Sequence, residues 1–125
     1  MKKIIYTPKA PAAIGPYSQA VEVGCTLYIS GQIPVDPATG KIVEGGIEEQ
    51  TEQVMKNIAA ILEEAGYTFE DVVKSTCLLS DMNDFAGMNK VYGRYYKDNP
   101  PARAAFAVKT LPLNVLVEIE TIAVK

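Results

Sequence analysis

Two strand-like segments near the C-terminal end carry the charged side chains best suited to chemistry. Arg103 lies in the apolar run 102–109, and strand alternation places it beside Ala105 and Ala107. The same alternation predicts that the opposite face, which carries Phe106, is the core face. Because an arginine beside small side chains has room to bind a carboxylate through two hydrogen bonds, Arg103 is a candidate anion-binding residue. An ordinary surface or interface arginine would show the same spacing.

A pair of carboxylates follows in the run 116–124. Glu118 and Glu120 share one face of this predicted strand, with Cα atoms roughly 7 Å apart. Apolar residues occupy most of the other face. Paired carboxylates can exchange protons with a substrate. A solvated strand face or a set of salt-bridge partners would give the same pattern, so the spacing leaves these interpretations open.

Three further segments offer uncharged groups to a ligand. Tyr17 stands in an apolar loop, where its hydroxyl could meet a ligand or its ring could pack into the core. Gly31, after Ser30 at the end of a predicted strand, allows close backbone approach or forms a simple bulge. Asn89 falls within the apolar face of a predicted helix. We expect Asn89 to hold a nearby backbone segment rather than a ligand.

Missing residue types limit the chemistry further. The chain has no histidine and two cysteines, Cys25 and Cys77. The absence of histidine excludes Ser-His-Asp and Cys-His nucleophile systems and histidine-containing zinc sites. Both cysteines lie in apolar stretches and are predicted to be buried. The sequence contains neither of the glycine-rich nucleotide-binding motifs, G-x-G-x-x-G and G-x-x-x-x-G-K-[ST]. Any catalysis must therefore use carboxylate, Arg, Lys, Tyr, Ser or backbone groups.

The composition is typical of one ordinary globular domain that spans residues 1–125. The chain has 48% hydrophobic and 22% charged residues, and its formal net charge is −3. This acidic balance argues against nucleic-acid binding, because phosphate contacts need basic residues. The N-terminal apolar run is too short for a signal peptide, and no stretch reaches membrane-spanning length. We expect a cytoplasmic protein that does not bind membranes.

Hydrophobic periodicity predicts the elements that position these residues. Helices are predicted at Ile47–Ala65, which ends at Gly66, and at 82–97. The predicted strands cover residues 3–6, 18–23, 26–31, 72–79, 102–109 and 116–124, and 34–46 is predicted to be a long loop. This order is typical of an α+β fold with both helices on one face of a six-stranded mixed sheet. The other face would be bare, which favours oligomerisation through it.

An ordered set of short motifs spans almost the whole chain. The motifs are 10–20 (APAAIGPYSQA), 29–36 (ISGQIPVD), 83–85 (NDF), 101–103 (PAR), 111–112 (LP) and 117–123 (VEIETIA). No single motif is decisive, but their order and spacing together are highly specific. In this set the chain resembles the Rid family of reactive intermediate deaminases, also called the YjgF family. It is most similar to the RidA-type subgroup, which keeps the arginine.

This resemblance implies a fold and a reaction. The implied fold is a chorismate-mutase-like α+β fold that assembles as a homotrimer, with a cleft at each subunit boundary. The implied reaction is hydrolysis of 2-aminoacrylate, 2-iminopropanoate or 2-iminobutanoate to a 2-keto acid and ammonia. Such reactive intermediates leak from pyridoxal-phosphate-dependent lyases. The implied partners are therefore small 2-imino and 2-keto acids, and the implied reaction needs no metal and no cofactor, because the imine is already electrophilic.

The resemblance also implies roles for individual residues. Arg103 would grip the substrate carboxylate, and the backbone N–H of Gly31 would meet the same ligand. Tyr17 would line the cleft, and Glu118 would be associated with the attacking water. The resemblance further places Ser30 and Asn89 near the cleft.

One position departs from the family pattern. Many relatives carry a cysteine two residues after the arginine, where this chain has Ala105. Only a backbone contact from Ala105 can be expected. A mechanism that needs a thiol at this position is excluded, whereas one that uses water is not.

Two other functions compete with deamination. A ribonuclease or translation inhibitor, as some relatives are labelled, is disfavoured by the acidic charge and the missing histidines. A non-catalytic protein, such as a small-carboxylate sensor or a chaperone-like holdase, could use the same arginine without turnover. Fold alone does not decide between these functions.

Overall fold

A computed structural model describes all 125 residues of the chain. Its strands are β1 Lys2–Ile5, β2 Ala20–Val23, β3 Thr26–Gln32, β4 Val35–Asp36, β5 Lys41–Ile42, β6 Val72–Leu79, β7 Ala102–Ala107 and β8 Val117–Val124. Its α-helices are α1 Ile47–Ala65 and α2 Phe85–Tyr95. Short 3₁₀ turns occur at Phe69–Asp71, Met82–Asp84 and Pro112–Asn114. All six predicted strands and both predicted helices are present, so the expected order of elements is confirmed.

Six of the strands form one mixed sheet with the order β1-β2-β3-β8-β6-β7. Only β6 and β7 run parallel, and α2 makes the crossover between them. The remaining pairs are antiparallel. The α+β class and the mixed six-stranded sheet are therefore confirmed. The predicted loop 34–46 is not wholly irregular, because β4 and β5 form a separate two-stranded ribbon within it.

Helix α1 has the predicted bounds because both of its ends carry clear local signals. The Glu49 carboxylate accepts a hydrogen bond from the Gly46 N–H at 2.9 Å, and Gly66 ends the helix with φ +81°. Helix α2 is shorter than the predicted 82–97. It begins after the 3₁₀ turn that Asp81 caps through the Asn83 N–H. It ends at Tyr95, because the backbone of Tyr96 is no longer helical.

The core lies between the sheet and the two helices, and this layer corrects the predicted orientation of β7. The side chain of Phe106, expected in the core, is 48% exposed. The parallel register places Ala105 opposite the fully buried Cys77 and Arg103 opposite the fully buried Ser75. The face with Arg103 and Ala105 is therefore the helix-covered face. The prediction was wrong because an alanine-rich strand has little contrast between its two faces.

The opposite face of the sheet carries no helix. It exposes Tyr28, Phe106 and Val124 beside the carboxylates of β8. Cys25, predicted to be buried, is exposed between β2 and β3, whereas Cys77 is buried as expected. Neither helix combines the length and the apolar character needed to cross a membrane.

Candidate active site

The guanidinium of Arg103 is fixed by three side chains of α2, and together these four residues form the Arg103 cluster. Arg103 Nη1 donates a hydrogen bond to Asn89 Oδ1 at 2.7 Å. Its Cζ atom lies 5.3 Å from the ring centre of Phe85 and 5.0 Å from that of Tyr92. Phe85, Asn89 and Tyr92 share one face of α2 because they are spaced by four and three residues. Asn89 therefore holds the Arg103 side chain, not a backbone segment as its position had suggested.

Arg103 retains an unneutralised positive charge. The ion pairs of the structure join Lys90 to Glu48 and Arg94 to Glu52. The partners of Arg103, by contrast, are a neutral amide and two aromatic rings. Arg103 is also exposed to solvent. An oriented guanidinium without a carboxylate partner is suited to bind an anionic ligand.

The residues behind Arg103 offer no reactive thiol. Ala105 is partly buried and packs against the core. Its partner in register, Cys77, has no exposed surface. Burial raises the pKa of the Cys77 thiol to about 11, against a smaller opposing effect of the Arg103 charge. Because the thiolate is the nucleophile, Cys77 is unreactive at neutral pH.

A second group, the Gly31 cluster, consists of Tyr17, Ser30, Gly31 and Glu118. Ile29 pairs with Thr121 and Gln32 with Ile119, so Ser30 and Gly31 form a bulge between β3 and β8. A Cβ atom built on Gly31 would lie 2.9 Å from Cδ of Glu118. The carboxylate thus occupies the space of the missing side chain, so any other residue at this position would have to displace it.

Ser30 and Gln19 hold the loop that carries Tyr17. The hydroxyl of Ser30 donates a hydrogen bond to the Ser18 carbonyl at 2.6 Å, and its N–H donates to the Gln19 carbonyl at 3.0 Å. The buried Gln19 amide accepts from the Thr7 N–H and donates to three carbonyl groups of the loop. Tyr17, half exposed, is thereby kept beside β3. Within a single chain, Ser30 therefore positions this loop.

Tyr17 and Gly31 also line a cleft of about 290 Å³, which we call the Tyr17 cleft. Its walls come from the loop 11–19, the segment 31–40 and Leu113. Leu113 and the aromatic pair Phe85 and Tyr92 are the site residues that the sequence reasoning missed. The helical spacing around Asn89 could have indicated the aromatic pair, whereas no local pattern indicates Leu113.

Glu118 has the electrostatic character of a proton acceptor. Burial raises the pKa of its carboxyl group above the usual value, and the negative charge of Glu120 raises it further. A carboxylate with a raised pKa binds a proton more readily than an exposed one. Glu118 is therefore a candidate for exchanging protons with a ligand or a water molecule.

Within one chain the two clusters lie on opposite faces of the sheet. Arg103 shares the helix-covered face with Ser75. Leu78 pairs with Glu118 on one side and with Phe106 on the other, so these three side chains share the bare face. The structure therefore brings Tyr17, Ser30, Gly31 and Glu118 together, and Asn89, Arg103 and Ala105 together, but separates the two sets.

Comparisons with known proteins identify the family. The family model named Endoribonuclease L-PSP matches residues 7–125. A RutC family protein of Pyrococcus horikoshii is 58% identical over 100% of this chain and 99% of its own length. The 2-iminobutanoate/2-iminopropanoate deaminase of Mus musculus is 54% identical over 100% of this chain and 93% of its own length.

A solved structure agrees with these sequence matches. The crystal structure of E. coli TdcF with bound serine matches with a TM-score of 0.94 and 42% identity, over 98% of each chain. The resemblance drawn from the ordered motifs is thereby confirmed. The chain belongs to the Endoribonuclease L-PSP family, which is the YjgF/Rid family.

Proposed function

We propose that this protein is a deaminase that hydrolyses 2-imino acids, including 2-iminopropanoate and 2-iminobutanoate, to 2-keto acids and ammonia. The observation that carries the proposal is the oriented guanidinium of Arg103, which has no carboxylate partner of its own. A mammalian relative that matches the full chain at 54% identity is named for this reaction. E. coli TdcF binds serine, which carries a carboxylate and a nitrogen on one carbon, as a 2-imino acid does.

The proposed reaction needs a held carboxylate, a placed water and a proton carrier. Arg103 binds the substrate carboxylate and orients C2, which is a proximity effect. Glu118 takes a proton from water as the water oxygen bonds to C2 of the protonated imine and the C=N electron pair moves to nitrogen. Glu118 then returns the proton to the nitrogen of the resulting carbinolamine. The C–N bond breaks, the C2 hydroxyl gives its proton to the Glu118 carboxylate, and a 2-keto acid and ammonia are released. Glu118 passes this last proton to water, which restores its carboxylate.

This reaction places Arg103 and Glu118 at one substrate, so the proposal includes a second copy of the chain. Arg103 and Glu118 occupy opposite faces of one sheet, and a small substrate cannot contact both through the sheet. The bare face, with Tyr28 and Phe106 exposed, offers an apolar surface for association. We infer a homotrimer in which each cleft combines the Arg103 cluster of one copy with the Gly31 cluster of the next.

Deamination in situ tests the proposed function. A pyridoxal-phosphate-dependent lyase generates 2-aminoacrylate, semicarbazide traps the surviving imine, and the trapped product is measured by its absorbance. We expect wild type to reduce the trapped product and Arg103→Ala to lose this effect. Arg94→Ala is the matched control, because Arg94 is the other arginine of the chain and pairs with Glu52 on the helix surface. A wild type without effect on the imine would overturn the proposed function.

The family name supports ribonuclease activity as a second candidate. The net charge of −3 and the absence of histidine disfavour RNA binding and acid–base cleavage by histidine. Incubation with a labelled single-stranded RNA at low salt separates the candidates. Cleavage that survives in Arg103→Ala, together with no loss of imine, would favour the ribonuclease. Binding of a 2-keto acid without turnover would instead favour a non-catalytic sensor.

A further inference from the structure

Leu113 combines two properties that the fold does not explain. Its backbone φ is +55°, in the left-handed region that leucine rarely adopts. Its side chain is 63% exposed and therefore adds little to the core. The next residue, Asn114, has φ +56° and is of a type that tolerates this conformation. Glycine or asparagine would form the same turn at position 113, so the turn does not account for a leucine.

The leucine side chain lines the Tyr17 cleft, whose polar side chains are already committed elsewhere. The Gln19 amide makes its hydrogen bonds to the loop backbone, and Gln32 Nε2 donates to the Ser30 carbonyl. Ile14, Ile33 and Leu113 supply apolar wall. A ligand group in this cleft would therefore find apolar contacts and few free hydrogen-bonding groups, apart from the Tyr17 hydroxyl.

The cleft also adjoins the proposed reaction centre. Gly31 lines the cleft, and the carboxylate of Glu118 fills the space where a side chain on Gly31 would lie. A substrate carbon attacked by water at Glu118 therefore stands at the mouth of the cleft. C2 of a 2-imino acid has three substituents. The carboxylate is bound by Arg103 and the nitrogen receives the proton, so the side chain is the group left to enter the cleft.

We propose that the Tyr17 cleft binds the substrate side chain and that Leu113 is a specificity-determining residue. The preferred substrates are then 2-imino acids with unbranched apolar side chains longer than methyl. This inference rests on the proposed deaminase function and names its substrate class. A strained, exposed leucine fits a residue that serves ligand contact rather than folding.

The test compares imines of increasing length. A broad-specificity L-amino-acid oxidase with catalase forms 2-iminopropanoate, 2-iminobutanoate and 2-iminohexanoate from the matching amino acids, and semicarbazide trapping gives kcat/KM for each. In wild type we expect kcat/KM to rise about two- to fourfold for each added methylene, because burial of one methylene contributes up to ~0.8 kcal/mol. In Leu113→Asn we expect this rise to fall to less than half of its wild-type value, with a melting temperature equal to or above that of wild type.

Asn114→Gly is the matched control, because it relaxes the same turn without touching a cleft residue. We expect the chain-length dependence of Asn114→Gly to equal that of wild type. An unchanged dependence in Leu113→Asn, or an equal loss in both variants, would overturn the inference.

Binding separates failure of this inference from failure of the proposed function. If wild type hydrolyses none of the imines, the deaminase proposal fails, and calorimetric titration with pyruvate, 2-oxobutanoate and 2-oxohexanoate tests the cleft directly. Affinity that rises with chain length in wild type and not in Leu113→Asn supports the side-chain pocket. Affinity without such a rise, or no binding of any of the three acids, overturns it.

Discussion

The carboxylate of Glu118 lies in the space that a side chain on Gly31 would need. Cδ of Glu118 is 2.9 Å from the position of an ideal Cβ atom on residue 31, which is closer than real Cβ contacts. The two residues come from neighbouring strands, and the bulge in β3 brings them together. Glycine at position 31 therefore determines where the proposed proton carrier lies.

Gly31→Ala should displace the Glu118 carboxylate and leave the fold intact. The methyl group meets the flexible end of a glutamate side chain, which can rotate away at little cost to stability. We expect kcat for 2-iminopropanoate to fall by ~10²-fold, at the lower limit of general acid–base catalysis. Steady-state kinetics measure this loss, and circular dichroism checks folding.

A double-mutant cycle assigns that loss to Glu118. If the methyl group acts by moving the carboxylate, Gly31→Ala should cost little further activity in a Glu118→Ala background. Equal losses in both backgrounds would show that Gly31 acts independently of Glu118, for example through its own N–H.

The acid limb of the pH–rate profile should report the raised pKa of Glu118. Burial and then the charge of Glu120 favour its protonated form. Since the ionised form takes the proton from water, kcat/KM should decrease as the pH falls through this raised pKa. Glu120→Gln removes the neighbouring charge, so the midpoint of the acid limb should move to lower pH. Glu64→Gln, on the exposed side of α1, is the control, and an identical midpoint in the Glu120→Gln protein would contradict the assignment.

Glu118→Gln should stabilise the protein at neutral pH although it removes turnover. A carboxyl group whose pKa is raised on folding binds its proton more tightly in the folded state. Its favourable contribution is present at low pH and is lost as the pH rises through the folded-state pKa. The melting temperature of Glu118→Gln should therefore equal or exceed that of wild type at pH 7, and the difference should shrink in acid. A melting temperature of Glu118→Gln below that of wild type at pH 7 would show that the buried charge of Glu118 does not destabilise the folded protein.

The elements of the fold could be predicted where local signals are strong. Helix α1 has apolar spacing, an acidic first turn and Gly66 at its end, and its bounds were predicted correctly. The ribbon of β4 and β5 was missed because each strand has two residues, too few to show alternation. The face of β7 was assigned wrongly, because alanines surround Arg103 on both sides and only the register with β6 decides which face is covered.

The site could be predicted only as a set of residue types. Spacing identified Arg103 and Glu118 as chemical candidates, and the family resemblance gave them roles. Nothing in the spacing could show that they lie on opposite faces, because this relationship depends on how β6 pairs with both β7 and β8. The contact between Gly31 and Glu118 was likewise hidden, since it arises from a bulge between strands distant in sequence.

The aromatic rings beside Arg103 should determine how well it binds the substrate. The Tyr92 side chain is buried against the guanidinium, and Tyr92→Phe keeps the ring and removes only the hydroxyl. Tyr92→Leu removes the cation–π contact, which is worth ~0.5–2 kcal/mol. We expect KM for the imine to rise about two- to thirtyfold in Tyr92→Leu and to stay near wild type in Tyr92→Phe.

A spectroscopic readout separates orientation of Arg103 from general loss of stability. The Nε–H signal of Arg103 in ¹H–¹⁵N spectra should show slow, restricted motion in wild type and Tyr92→Phe and greater mobility in Tyr92→Leu. Equal mobility in all three proteins, or equal KM values, would show that the ring does not position the guanidinium.

Two inactive variants should restore activity when they assemble together, if the site is shared between copies. Arg103→Ala keeps Glu118, and Glu118→Ala keeps Arg103, so a contact between the two variants can contain one complete cleft. Random mixing in equal amounts completes about one quarter of the clefts, because each cleft needs one intact residue from each of two neighbouring copies. Co-refolding the two variants and measuring imine loss gives this fraction.

The control mixes Arg103→Ala with the double variant Arg103→Ala/Glu118→Ala, which contains no complete cleft and should stay inactive. Activity no greater than the sum of the separate variants would show that Arg103 and Glu118 do not act on one substrate across a boundary. The active site would then have to use only one of the two clusters, because the two lie on opposite faces of the sheet.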